Sequence, residues 1–170
     1  MSVDMVVDIW IGGKLRRSLL QKLLAEELHR HLGEASEQGV FDACRNRLLH
    51  LDNEGVNYET FDNLEAWLRR HEIPYVKETE GDFDSEPTRT QFRPDLPSKP
   101  DLEIATNHNG DTVVTREQIE PWIERMATLV SDKDRPEAAR LQEWEEVYKR
   151  VASLLPPLLP WLPDFEIVDG

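Results

Sequence analysis

The sequence predicts an α+β fold: a mixed or antiparallel sheet with helices on one face, then a helical C-terminal portion ending in a Pro-rich apolar tail. Three observations predict it. Residues 3–11 alternate, with Val3, Met5, Val7, Ile9 and Ile11 on one side and Asp4, Val6, Asp8 and Trp10 on the other, the period of a strand near the middle of a sheet. Between two further strand-like stretches, Phe61, Leu64, Trp67 and Leu68 recur at three- and four-residue steps, which places them on one side of a helix. Past residue 115 the apolar spacing is helical again until a run of prolines stops it.

Taken in order, Gly12-Gly13 ends the first strand, and the leucines at 15, 19, 20, 23, 24, 28 and 32 mark a helix over residues 14–32 with Gly33 as its stop. Residues 33–47 are polar, with a short helical turn expected near Val40 to Cys44. Leu49 and Leu51 point from one face of the next strand, and Leu48, His50 and Asp52 from the other. A helix over residues 60–72 follows, capped by Thr60 or Asn57, with Arg69, Arg70 and His71 at its negative end and Ile73-Pro74 as its stop. Residues 75–80 and 89–93 read as paired strands. Pro94, Pro97 and Pro100 mark an internal linker or crossover. A hairpin is expected from residues 102–106 and 112–115 around Asn109-Gly110. Thr115 and Gln118 resemble a capping box opening a helix that Pro121 should bend or shorten, and a last helix runs from about Asp134 or Pro136 to Leu155. The stretch LLPPLLPWLPDFEIV closes the sequence; its prolines forbid a helix, so it either wraps onto its own domain or docks on another chain.

The expected core is Val7, Ile9, Leu23, Leu49, Leu51, Leu64, Trp67 and Leu68, in a single domain of residues 1–170 with an allowed subdivision into 1–93 and 102–170. The 170 residues carry 34 acidic and 20 basic side chains, a formal charge of −14. That surface repels phosphate backbones, so nucleic acid is not an expected partner, although an acidic protein can imitate nucleic acid and inhibit a basic one. No stretch is apolar enough for a bilayer span and no leader is apparent, so a cytoplasmic protein without a membrane partner is expected. Cys44 is the single cysteine, which excludes an intrachain disulfide. It reads as a packing residue, with Arg45, Arg47 and His50 close enough in sequence to raise the question of an activated thiol.

Three groups of residues carry chemical readings. Gly12, Gly13, Lys14, Arg16 and Arg17 place glycines and cations at a strand-to-helix turn, the general plan of an anion site, but lack both nucleotide-binding glycine patterns. His50 and Asp52 share a strand face, and His108 or His71 would complete a two-histidine, one-carboxylate metal site. Glu78, Glu80, Asp82, Asp84 and Glu86 alternate around Gly81 and read as a solvated hairpin connection; they do not match a calcium-binding loop. No serine has the glycine context of a nucleophile elbow, and no motif calls for a cofactor. The leading expectation is therefore a non-catalytic protein-interaction module, with Leu158, Leu159, Trp161 and Leu162 as partner-binding residues, another protein as partner, and oligomeric state open, a homodimer included. The alternatives are a small-ligand or phosphate-binding protein or enzyme using the glycine turn or the His50/Asp52 face, and a nucleic-acid mimic.

Overall fold

The computed structural model describes residues 6–32, 34–52, 59–81, 86–157 and 159–169. The chain divides into two compact units, one of Met1–Gly110 with Pro160–Gly170 and one of Asp111–Leu159.

The first unit is built on a six-stranded antiparallel sheet. Its strands are β1 (Val7–Ile11), β3 (Cys44–Arg45), β4 (Leu48–Asp52), β5 (Tyr75–Thr79), β6 (Thr88–Phe92) and β7 (Asp101–Ala105), in the order β3-β4-β1-β5-β6-β7. The alternation in β1 puts Val7, Ile9 and Ile11 inside and leaves Asp8 and Trp10 half-buried on the opposite face. Three helices contribute to the core: α1 (Arg17–Glu26), α2 (Glu37–Ala43) and α3 (Glu59–Arg70). Their apolar sides, among them Leu20 and Leu23, Val40, and Phe61, Leu64, Trp67 and Leu68, form one buried cluster with the inward residues of β1 and β4 and with Tyr75. All eight residues expected in the core are buried there.

Three local boundaries differ from the sequence expectation, each for an identifiable reason. The helix expected over 14–32 begins only at Arg17, because Lys14–Arg16 form a short strand, β2, paired in parallel with β8 (Glu166–Val168). Leu15 is buried between exposed Lys14 and Arg16, a two-residue period hidden by the helical one that follows. At its other end α1 stops at Glu26 and gives way to a 3-10 turn at Leu28–Arg30; Gly33 lies outside the described residues. Helix α3 starts at Glu59, so Thr60 lies within it rather than capping it, and Asn57 is outside the described residues. It ends in a left-handed residue, Glu72 at φ 52°, with Ile73 N–H bonded to the Leu68 carbonyl at 2.9 Å and Glu72 N–H to that of Arg69 at 3.2 Å. This paired closure is a Schellman ending, completed before Pro74 is reached.

The expected 102–106/112–115 hairpin is also replaced. β7 pairs with β6 instead, and between Gly110 and Arg116 the described residues carry only a single bridge position, Thr112, in place of a strand. Gly110 has φ 79° but Asn109 is not left-handed, and Asn107 Oδ1 accepts the Asn109 N–H at 2.9 Å. The Asn107 side chain thus closes an Asx turn, where the favoured two-residue hairpin would need both Asn109 and Gly110 at positive φ.

The second unit is a pair of helices, α4 (Arg116–Ser131) and α5 (Glu137–Ser153). The Thr115–Gln118 capping box is formed in both directions. Pro121 neither ends nor shortens α4, which runs through it; its missing N–H removes one bond, to the Glu117 carbonyl in the first turn. Among the described residues no helix is long and apolar enough to cross a membrane.

Candidate functional site

The glycine turn does not present free amides. Gly12 N–H donates to the Pro74 carbonyl at 3.1 Å and Gly13 N–H to that of Pro163 at 3.0 Å. A side chain at Gly12 would place its Cβ 2.3 Å from the Pro163 oxygen, and Gly13 has φ 84°, so both glycines have a steric role in seating the C-terminal segment. The cations beside them meet carboxylates: Lys14 lies 3.5 Å from Glu166, and Arg17 bonds Glu37 and Asp169, each at 2.9 Å. Lys14 and Arg16 also line, with Gly13 and His71, an open cavity of about 430 Å³.

The proposed metal ligands are not brought together. His50 Nε2 lies 2.8 Å from Asp8 Oδ1, and its ring stacks on Trp10 at 5.0 Å between centroids. Asp52 faces Asp8 in the β1–β4 register and is exposed. His108 follows β7, four strands from β4, about 19 Å at the usual strand spacing. Among the described residues no group of three or more His, Cys, Asp or Glu side chains is placed to hold a metal ion. Cys44 bonds the Val40 carbonyl at 3.3 Å, and burial raises its thiol pKa against the lowering effect of Arg45. It is the opposite of an activated thiolate. In the acidic run, Glu78 pairs with Arg89 at 2.6 Å, while Asp82 and Asp84 lie outside the described residues.

A polar cluster between α3 and the β5–β7 part of the sheet was not predicted. Glu65 is only 8% exposed although it lies on a helix face made by Phe61, Leu64 and Leu68. One of its oxygens accepts the Tyr75 hydroxyl at 2.7 Å and the other accepts from the Lys77 ammonium. Arg69 donates to the Tyr75 hydroxyl through Nε at 2.9 Å, bonds Asp101 through Nη1, and stands over the Phe92 ring at 5.3 Å. Burial pushes the Tyr75 phenol far above its usual range, reinforced by its bond to Glu65 and that carboxylate's charge, with Arg69 opposing. Glu65, Arg69, Lys77 and the buried Thr90 line an open cavity of about 340 Å³ whose rim carries Asp62 and Glu103. The available signal was a carboxylate at position 65, four residues past Phe61 and three before Leu68, inside an apolar stripe.

The hairpin unit carries a different kind of surface. Only Leu129 and Val147 are buried apolar side chains there among the described residues, while Ile123, Val130, Leu141, Trp144 and Tyr148 are exposed. The less exposed residues 119, 122, 126 and 129 of α4 and 140, 143, 147 and 151 of α5 recur at helical spacing and mark the facing sides of the two helices. Arg125 of α4 bonds Glu143 across that seam, and Arg135 joins the same carboxylate. Each exposed apolar residue comes one position after an inward one, about 100° further round its helix. In antiparallel helices that offset turns both stripes toward the same side, so Ile123 and Val130 share a face with Leu141, Trp144 and Tyr148.

The C-terminal segment of the sheet unit is held by its own contacts. Arg93, 2% exposed, bonds Asp95 and donates to the Pro160 and Trp161 carbonyls. Phe165 N–H meets the Arg47 carbonyl at 2.8 Å. Of the residues expected to bind a partner, Leu162 is buried at 9% exposure, Trp161 is 93% exposed, Leu159 is half-buried, and Leu158 lies outside the described residues. No protein-family model matches the chain, and no curated protein and no solved structure matches it.

Proposed function

We propose that the chain is a non-catalytic protein-interaction module that meets another protein through the apolar face of the α4–α5 hairpin. The observation that carries this reading is the exposure of Leu141 (62%), Trp144 (42%) and Tyr148 (66%) in a unit with so little buried apolar surface. Covering such a face returns roughly 1.5–3 kcal/mol for each large apolar side chain fully buried, and aromatic side chains are enriched at interface centres. A photo-crosslinking amino acid placed at Tyr148 tests it, with Glu103 on β7 as the control position. Adducts to protein should form from Tyr148 and not from Glu103. No adduct from Tyr148, Trp144 or Leu141 sinks the reading.

A second reading, small-ligand binding, is favoured by the polar cavity beside α3. The Lys77 ammonium gives one of its three donors to Glu65, and the Thr90 hydroxyl lines the same cavity. These donors, below a rim of Asp62 and Glu103, suit a small molecule that carries both an anionic and a cationic group. Thermal-shift measurements with free amino acids, against analogues lacking the amine or the carboxylate, test this reading. It fails if Thr90→Val and the native chain respond alike to all of them.

A further inference from the structure

We infer that the partner of the hairpin face is a second copy of this chain, with α5 packed antiparallel on α5 of the copy about a two-fold axis at Tyr148. This rests on the interaction reading and names its occupant. Two facing helices with two buried apolar side chains among the described residues do not enclose a core, whereas two such hairpins, face to face, close a four-helix bundle, which does. Because a two-fold interface sets one patch against itself, the patch must be self-complementary.

The α5 stripe meets that requirement. An antiparallel pair centred on Tyr148 sets Tyr148 against its own copy and the bulky Trp144 against the small Ala152 of the copy. At the edge of the stripe stand Glu145 and Lys149, already paired at 2.7 Å within one chain and more than half exposed. The antiparallel arrangement brings each Glu145 within about 3 Å, along the axis, of the level of Lys149 in the other copy, so the charges alternate in sign across the seam.

Two measurements on the full chain test the inference. In light scattering coupled to size exclusion, the native chain should run at twice its 19.8 kDa mass. Trp144→Ser with Tyr148→Ser should run at the single-chain mass, with its circular dichroism unchanged. In a Cys44→Ala background, Tyr148→Cys should form a disulfide-linked dimer under mild oxidation. Glu146→Cys, two residues away and about 160° round the helix, should not. A monomeric native chain, or equal crosslinking from both positions, overturns the inference. If the native chain is monomeric and the photo-crosslinker at Tyr148 still forms an adduct with a protein of another mass, only the choice of a second copy fails. If it forms none, the interaction reading falls with it.

Discussion

The two units use apolar side chains in opposite ways. In the sheet unit, α1, α2 and α3 turn their apolar sides onto alternate residues of β1 and β4, and Ile9, Ile11, Leu23, Leu49, Leu64 and Leu68 are essentially inaccessible. In the hairpin unit, Leu141, Trp144 and Tyr148 occupy equally regular helical positions and remain exposed. Regular spacing therefore marks a face that needs covering, and the number of neighbouring layers decides whether the chain covers it. A sheet offers one broad surface to several helices; a lone partner helix covers only the seam.

The comparison breaks first at the buried charges. Glu65→Ala removes the carboxylate that Lys77 and Tyr75 both use and leaves an ammonium unpaired, so denaturant unfolding of the sheet unit should lose about 3–5 kcal/mol. Replacing the pair together, Glu65→Leu with Lys77→Met, should recover most of that loss; equal losses from the single and double variants would mean the ion pair is not the reason. Leu64→Ala should cost about 2–5 kcal/mol through its cavity. Trp144→Ala, a larger truncation, should leave sheet-unit stability within about 0.5 kcal/mol, as surface changes do. Similar losses from the two would erase the distinction between the units.

Alkaline titration sharpens the same point at smaller scale. The Tyr75 phenol is raised by burial, then by its bond to Glu65 and that carboxylate's charge, so the folded state holds its proton more tightly than the unfolded chain. The resulting stability is complete below the ordinary tyrosine value near 10 and declines as pH rises above it, by up to about 1.4 kcal/mol per pH unit. Tyr75→Phe should flatten that decline, read as denaturant midpoints between about pH 9 and pH 11. An unchanged slope would remove the role assigned to the phenol.

Much of the fold was legible because periodicity reports the face that packs. The eight core residues, the internal position of β1 and the Thr115 capping box all follow from local pattern. β2 was not legible: its three residues precede a stronger helical signal, and its partner β8 lies about 150 residues away in sequence. The candidate surfaces were half legible. Leu141, Trp144, Val147, Tyr148 and Val151 stand out together as apolar, but only the position of α4 separates Val147, which packs, from Tyr148, which does not. Glu65 was readable as an acid in an apolar stripe, whereas its bonds to Tyr75 and Lys77 depend on a strand ten residues further on. The glycine turn was ambiguous because glycines that admit an anion and glycines that admit a neighbouring carbonyl look alike in sequence.

The smallest expected effect separates local from tertiary stabilisation in the hairpin. Thr115 accepts from the Gln118 N–H at 3.4 Å, and Gln118 Oε1 accepts from the Thr115 N–H at 2.8 Å. Both partners are exposed, so the capping box acts on helix ends and hardly on packing. Thr115→Ala should cost about 1 kcal/mol. Because α4 buries little else, that loss should appear as fraying of its first turns, seen as faster amide exchange near residues 116–120, while exchange in β1 and β4 stays as it was. Faster exchange in the sheet as well would show that the two units unfold together, and the hairpin face would then be judged against the core of the whole chain rather than its own.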